Sequence, residues 1–297
     1  LSSSTILVIG NGFPSWSQVA NPSSPEAVTE RLGTKVKVVE MGEFLDLLSK
    51  VDRSEGEKLA EEWERKAVKV TPEARRSLPE AALVHLAIER LVREHGADGV
   101  TIDCRFLDEW SMERHKTFYS PCMSLTVLRE RGIHAACEAD VCALLSMMLL
   151  GYIADKPTFM GNIGPVSPEG EWVEIMHCAA TVNMDGYDSP PSPLELTDYH
   201  RRGTGVATFS PMREGQTVTF ARLDKELRSL GAASGTIVEV PLDRICVNWI
   251  RVKTKGVRDF MERCLTGDHH AVVYGDVVEE LRMFCQLSGM KLLSPKG

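Results

Sequence analysis

The sequence predicts an α/β protein in two parts, an α/β layer over residues 1–154 and a β-rich unit over residues 155–297. In the first part, short apolar runs alternate with helical patterns, which is typical of a mostly parallel sheet covered by helices on both faces. The periodicity changes near Lys156-Pro157, where short β-rich runs separated by turn residues begin. The composition, with 43% hydrophobic and 26% charged residues, is that of a globular protein.

Apolar spacing and terminator residues predict the elements of the first part. Gly96 and Gly132 stand just past two predicted helices, where glycine commonly ends a helix. Asp140 stands directly before the last helix, and we interpret it as the N-cap, because its side chain can accept a hydrogen bond from a free helical N–H group. The predicted strands are 5–9, 36–39, 99–102 and 133–137, and the predicted helices are 25–32, 42–49, 54–69, 79–95, 121–131 and 141–153.

The second part contains short runs rich in β-branched and aromatic residues, bounded by turn residues. This pattern predicts an antiparallel sheet or a barrel, with one helix returning near the end of the chain. The predicted strands are 158–163, 172–176, 205–209, 216–222, 236–240 and 245–253, and the predicted helix is 276–287.

Charge and cysteine usage argue against several classes of protein. The net charge is −8 and the 34 Lys and Arg residues are scattered, so we expect no nucleic-acid partner. No apolar run reaches the roughly 20 residues of a membrane span, so we expect no membrane partner. Most of the eight cysteines lie in apolar strings and none forms a CxxC pair. That usage is typical of a reducing compartment and predicts a cytoplasmic protein.

Candidate chemistry is carried by one glutamate and three histidines. Glu138 directly follows the predicted strand 133–137, and ligands bind outside the carboxyl ends of strands in α/β sheets; a surface or capping acid is the alternative. His177 follows a β-rich run, where a structural histidine is the alternative to a ligand. His269 and His270 are adjacent, so in an extended chain one can enter a site while the other points away.

The set of motifs resembles the L-fucose/L-arabinose isomerase superfamily. The resemblance is carried by Ala136-Cys-Glu-Ala-Asp140, by Pro157-Thr-Phe-Met-Gly-Asn-Ile163, by Met176-His-Cys and by Asp268-His-His-Ala-Val-Val-Tyr-Gly-Asp276, in this order. It implies a Rossmann-like domain followed by a β-barrel-like domain. It also implies Mn²⁺, a sugar substrate, aldose–ketose isomerisation through an enediol, and a homo-oligomer, either trimer or hexamer.

The resemblance also assigns expected roles to individual residues. Glu138 matches the glutamate that binds the metal and acts as acid/base. His269 matches the C-terminal metal histidine, with His270 as the alternative, and His177 matches a histidine in the site of the arabinose-type members. We expect His177 and His270 to contact substrate. The second metal carboxylate of the fucose-type members, which is also catalytic, falls on Asn162.

Two departures from the family pattern leave a second reading open. Asn162 can offer a carbonyl oxygen to a cation but carries no charge and cannot shuttle a proton. Family members also have another α/β domain upstream that this sequence does not include. If the protein is an isomerase, Glu138 acts alone or with another base, for which Glu174 and Asp185 are candidates. The alternative is a divergent or non-catalytic sugar-binding member.

Overall fold

A computed structural model describes residues 1–13, 21–242 and 245–296. The protein is mixed α/β, with a parallel four-stranded sheet and a larger mixed sheet. The first half contains β1 (Thr5–Gly10), α1 (Pro25–Leu32), β2 (Lys35–Glu40), α2 (Met41–Leu48), α3 (Arg53–Lys66), β3 (Lys69–Val70), α4 (Pro72–His95), β4 (Gly99–Ile102), α5 (Cys104–His115), α6 (Cys122–Glu130), β5 (His134–Ala136) and α7 (Val141–Ala154).

The second half is dominated by strands, as its turn-rich pattern predicts. It contains β6 (Phe159–Val166), β7 (Trp172–His177), β8 (Glu195–Thr197), β9 (Ala207–Phe209), β10 (Thr217–Leu223), β11 (Ser229–Glu239), β12 (Asn248–Lys253), α8 (Val257–Asp259), β13 (His269–Tyr274), α9 (Val278–Ser288) and β14 (Lys291–Leu293). A 3₁₀ turn spans Tyr199–Arg201 and a π-helical turn spans Phe260–Cys264.

The parallel sheet has the strand order β2-β1-β4-β5. The chain leaves β1 toward one side and later returns to place β4 on the other side, so the order reverses between these two strands. Ligands of open α/β sheets bind outside the carboxyl ends of strands at such a reversal. This edge of the sheet therefore carries the residues that follow β1, β4 and β5.

The larger sheet has the order β10-β13-β6-β7-β12-β11-β14, and β10 also pairs with β11. Six of its strands are thus paired in an unbroken cycle, and all pairings within the cycle are antiparallel. A third sheet, β3-β8-β9, joins residues 69–70 to residues 195–209 across the predicted boundary at residue 154.

Helix α7 joins the two main sheets through a shared core. Residues 141–151 are buried all around the helix, which packs on β4 and β5 and also on β10 and β13. One hydrophobic cluster accordingly contains Val100 of the parallel sheet, Leu144 of α7 and Val273 of the mixed sheet. A helix that is apolar on every face is buried on every face, as its sequence predicts.

The predicted start of α4 is wrong, and α5 was not predicted. The helix begins at Pro72, because the Thr71 hydroxyl accepts a hydrogen bond from the Ala74 N–H and Pro72 occupies the first turn; Pro79 lies inside the helix. Helix α5 has no clear apolar stripe, but Asp103 caps it. None of the helices in the described part of the chain is long and apolar enough to cross a bilayer.

Candidate metal centre

Glu138 lies in a strained turn at the carboxyl end of β5. Glu138 and Ala139 both have left-handed backbones, with φ of 60° and 51°, a conformation that costs a side-chain-bearing residue about 1–2 kcal/mol. The Ala139 N–H donates to the Ile102 carbonyl at 2.9 Å, and the Asn21 side chain donates to the Ala139 carbonyl at 3.0 Å. These bonds to the main chain hold the turn, and strain that the surroundings enforce is typical of functional sites.

Two histidines from the mixed sheet meet Glu138 at this turn. Glu138 Oε2 lies 3.9 Å from His269 Nε2, at the start of β13. The ring centroids of His177, at the end of β7, and His269 are 5.4 Å apart. Each of the three residues offers one ligand atom, and these three atoms lie within 4.8 Å of one another. Since metal–oxygen and metal–nitrogen bonds are about 2.0–2.3 Å long, a single cation fits between atoms at these separations.

The buried Nε2 atom of His269 is a suitable ligand atom for a cation. This buried nitrogen has no hydrogen bond among the described residues. On the other side of the ring, Nδ1 lies 2.8 Å from Asp140 Oδ2. A carboxylate there accepts a hydrogen bond from Nδ1–H, so the proton stays on Nδ1 and the lone pair is left on Nε2. This carboxylate–histidine arrangement is the usual one for histidine metal ligands.

Asp140 has a second role beyond the predicted helix cap. Its Oδ1 accepts from the Ala143 N–H at 2.8 Å, which confirms the cap. The guanidinium of Arg222 also donates to both of its oxygens, at 2.8 and 3.0 Å, and to the His269 carbonyl at 2.9 Å. Asp140 and Arg222 are completely buried. The sequence indicated only the cap, because Arg222 of β10 and His269 of β13 lie far from Asp140 along the chain.

Burial and neighbouring charges shift the pKa values of the residues in and around the cluster in different directions. Burial raises the pKa of the Asp140 carboxyl, but the charge of Arg222 and the bond from His269 outweigh it and lower the pKa to about 2. Burial also raises the pKa of the Glu138 carboxyl, and the neighbouring His269 and Arg105 partly offset this rise. Burial holds the pKa of His177 well below its usual range, so this imidazole is neutral and able to act as a ligand near pH 7.

Asn162 and His270 flank the cluster differently. Asn162 of β6 pairs directly with His269 of β13, and side chains of such opposed residues share a face, with Cβ atoms about 4.5–5.5 Å apart. The half-buried Asn162 therefore neighbours the cluster. His270 points to the other face of β13, where its ring centroid lies 5.6 Å from that of Phe260 and 6.5 Å from that of Phe220. The expected substrate contact by His270 is not supported by this position.

The two carboxylates considered as a second base are engaged elsewhere. Glu174 on β7 is buried and accepts two bonds from Arg251 of the neighbouring strand β12, at 2.7 and 3.1 Å. Asp185 is exposed and paired with Arg213 at 2.8 and 3.1 Å. Neither residue belongs to the cluster of three potential ligands.

Four buried thiols adjoin the cluster. Cys104 Sγ lies 3.1 Å from Cys137 Sγ, and Cys122 Sγ lies 3.3 Å from Cys178 Sγ. Cys137 precedes Glu138 and Cys178 follows His177, so two potential ligands stand beside these packed sulfurs. All four are free thiols; thiol–thiol contacts raise the pKa of some of them and lower that of others, but with burial the net shift is upward for each. A buried thiol of high pKa is unreactive, so we assign these four residues to packing.

Two clefts of the surface lie away from the cluster. One of about 800 Å³ is lined by Trp63, Tyr187 and the segment 189–194, and another of about 640 Å³ is lined by Lys253 and Lys255. Neither is lined by a member of the cluster, so chemistry rather than cavity size identifies the candidate site. Comparison of the sequence with known protein families and with curated proteins finds no match.

Proposed function

We propose that this protein is a metal-dependent aldose–ketose isomerase that acts on a sugar through an enediol, as the resemblance to the L-fucose/L-arabinose isomerases implies. The observation that carries the proposal is the convergence of Glu138, His177 and His269, from segments far apart in sequence, on one point. Asp140 and Arg222 orient His269 so that its free nitrogen faces the same point.

The proposed ion is Mn²⁺, held by Glu138, His269 and His177, with the Asn162 carbonyl oxygen as a further neutral ligand. One carboxylate and two imidazoles form a hard-to-borderline ligand set that suits this cation. When bound, the cation supplies Lewis-acid polarisation of the sugar carbonyl and hydroxyl oxygens. His177 was expected to contact substrate; its position beside His269 supports the role of a ligand instead.

Glu138 is the proposed acid/base. Isomerisation requires removal of the proton from the carbon beside the carbonyl and its return to the carbonyl carbon. The Glu138 side chain is 23% exposed, whereas that of His269 is 2% exposed, so Glu138 forms the accessible side of the cluster. Burial raises the pKa of its carboxyl, which makes it a stronger base than a solvated glutamate. Because Asn162 cannot carry a proton, Glu138 both removes and returns it.

We further propose that the finer features of the family apply here. The cycle of six paired strands supports a β-barrel-like domain after residue 154, and the strand order β2-β1-β4-β5 supports a Rossmann-like domain before it. A homo-oligomer, trimer or hexamer, would let a neighbouring subunit enclose the exposed side of Glu138. A cytoplasmic location is proposed on the free cysteines alone.

The second candidate is a sugar-binding protein without catalytic activity. Asn162 motivates it, because the position beside His269 then lacks the second carboxylate of a two-base mechanism. In this candidate the cation and Glu138 bind sugar hydroxyls without proton transfer.

One experiment separates these candidates. The purified protein is loaded with Mn²⁺, its metal content is determined, and it is assayed with a panel of aldoses for ketose formation. Isomerase activity that is lost in Glu138→Gln, and retained in the exposed control Glu113→Gln of α5, supports the enzyme. Sugar binding without turnover supports the non-catalytic candidate. A protein that binds neither Mn²⁺ nor any sugar contradicts both candidate functions.

A further inference from the structure

A buried arginine connects helix α6 to segments of both main sheets. Arg129 lies in the last turn of α6 and is 2% exposed. Its Nε donates to the Ala135 carbonyl of β5 at 2.8 Å. Its Nη1 donates to the carbonyls of Ala179 and Ala180, which follow β7, at 3.0 and 3.3 Å. Main-chain oxygens from two distant segments therefore fix the guanidinium in place.

The positive charge of Arg129 has no acidic partner within the described part of the chain. No ion pair joins its guanidinium to a carboxylate there, and its buried Nη2 has no hydrogen-bond partner. Burial lowers the pKa of Arg129 to about 10, so the group is still charged near pH 7. Carbonyl oxygens accept hydrogen bonds but carry no net charge, and a buried charge without a counter-ion is strongly destabilising.

A narrow gap of about 150 Å³ lies against Arg129, and its wall includes His134 and Thr158. Burial lowers the pKa of His134 to about 4, so the imidazole is neutral and keeps one N–H. The ring contacts Tyr152 edge-on, with centroids 5.1 Å apart, and its nitrogens bond to no described residue. The Thr158 hydroxyl donates to the Met147 carbonyl at a long 3.5 Å. Both side chains can therefore donate to a stronger acceptor in the gap.

The gap adjoins a cleft of about 420 Å³ at the surface. The two share Gly132, His134 and Tyr187 in their walls. The gap is too narrow for a sphere the size of a water molecule, so an ion enters only when a side chain of the wall moves. Tyr187 is 36% exposed and covers Gly132, where its ring lies 3.7 Å from the position that a Cβ would occupy. This ring can swing outward.

The charges around the cleft favour a small anion with a single charge. Glu130 and Asp155 line the cleft and are exposed. Arg131 also lines it but is paired with Glu89. Because the carboxylates at the rim repel negative charge, a doubly charged anion is disfavoured, whereas a single charge matches that of Arg129.

We propose that Arg129, His134 and Thr158 form a binding site for a small monovalent anion such as chloride, which is the counter-ion of the buried guanidinium. Its donors are Nη2 of Arg129, the ring N–H of His134 and the Thr158 hydroxyl. None of these residues belongs to the cluster of potential metal ligands, so the inference does not depend on the proposed isomerase activity. Because the bonds of Arg129 connect segments of the parallel and mixed sheets, the anion stabilises the contact between them.

Urea unfolding at constant ionic strength tests this proposal. Sodium gluconate, whose bulky anion exceeds the gap, is replaced stepwise by sodium chloride in the presence of a metal chelator. Because chloride binds the folded protein at this site, the folding equilibrium constant should rise about tenfold for each tenfold rise of chloride above its dissociation constant. Nitrate and formate, which are also small and singly charged, should have the same effect. Equal stability in chloride and in gluconate overturns the proposal.

Variants assign the chloride effect to the site. Arg129→Met removes the charge and should abolish the effect, and Thr158→Val, which keeps the shape of the side chain, should weaken chloride binding several-fold. Arg131→Met, at the rim of the same cleft, is the matched control and should keep the full effect. An effect that is unchanged in Arg129→Met and in Thr158→Val overturns the proposal.

A crystallographic measurement does not depend on the folding of any variant. Crystals of the wild-type protein are soaked in sodium bromide, and the ion is located by its anomalous scattering. A bromide within hydrogen-bond distance of Arg129 Nη2 supports the site, and the absence of a peak there overturns it.

Discussion

Replacement of Asp140 by asparagine tests the connection between the buried ion pair and the candidate metal site. The asparagine is nearly isosteric and its amide oxygen can still cap α7 by accepting from the Ala143 N–H. It cannot accept from both Arg222 and His269 as the carboxylate does, because one oxygen has become an NH₂ donor. The change therefore keeps the shape of the site and removes its acceptor and its charge.

The cost in stability follows from burial and from the pKa of Asp140. That pKa is about 2 in the folded protein against an ordinary value of 3.8, so ionisation of Asp140 contributes about 2 kcal/mol at neutral pH. Because the folded pKa is depressed, this contribution is present above pH 3.8 and is lost as the pH falls through about 2. The variant also leaves the Arg222 charge buried without its partner, so the total loss should reach about 3–5 kcal/mol.

The effect on metal binding follows from the tautomer of His269. Beside Asp140, Nδ1 carries the proton and Nε2 keeps its lone pair. An asparagine NH₂ in that place donates to Nδ1, which moves the proton to Nε2 and blocks the ligand atom. Loss of the residue that orients a metal histidine typically costs about 10–100-fold in metal affinity, and we expect a loss of this size for Mn²⁺.

Calorimetric titration with Mn²⁺ and urea unfolding in the presence of a chelator measure the two effects separately. The double variant Asp140→Asn with Arg222→Met removes the uncompensated charge, so it should recover much of the lost stability while Mn²⁺ affinity stays low. Wild-type Mn²⁺ affinity in folded Asp140→Asn would refute the tautomer argument. Parallel recovery of stability and affinity in the double variant would show that the affinity loss was only a consequence of unfolding.

Three further predictions concern neighbouring residues. Asn162→Asp should raise Mn²⁺ affinity at least about tenfold in calorimetry, since a negative charge near a divalent cation is worth several kcal/mol before desolvation. The control Gln216→Glu, at a half-buried position like Asn162 but outside the cluster, should not. Glu138→Gly should be about 1 kcal/mol more stable to urea with chelator than Glu138→Ala, because glycine relieves the left-handed backbone; equal stability would contradict the strain. Burial raises the pKa of Asp108 to about 7, which means that the folded protein holds a proton which the unfolded chain releases above pH 3.8. Its stabilising contribution is therefore complete at low pH and lost as the pH rises to about 7, with a slope of roughly 1 kcal/mol per pH unit that Asp108→Asn should abolish in urea titrations at several pH values.

The sequence predicted helices and strands well where their formation depends on residues that are neighbours along the chain. The all-apolar helix α7 and its cap at Asp140 were readable because both depend on neighbouring residues. The adjacent histidines were expected to diverge, and His269 and His270 do point to opposite faces of β13. The alternation of strands and helices also predicted the parallel sheet.

Side-chain contacts between segments that are distant in sequence could not be predicted in this way. Arg222 is a charged residue within the apolar strand β10, which signals that a buried partner must exist, but nothing in the sequence says that the partner is Asp140.

The three potential ligands come from both main sheets, Glu138 after β5 and the histidines from β7 and β13. A cation held by all three exists only while the parallel and mixed sheets are docked, so occupancy and docking are thermodynamically linked. By mass action, free Mn²⁺ at one hundred times its dissociation constant would add about 2.7 kcal/mol to the free energy of unfolding. The melting temperature of this protein would then vary with trace metal in the buffer, and preparations of different metal content would differ in apparent cooperativity.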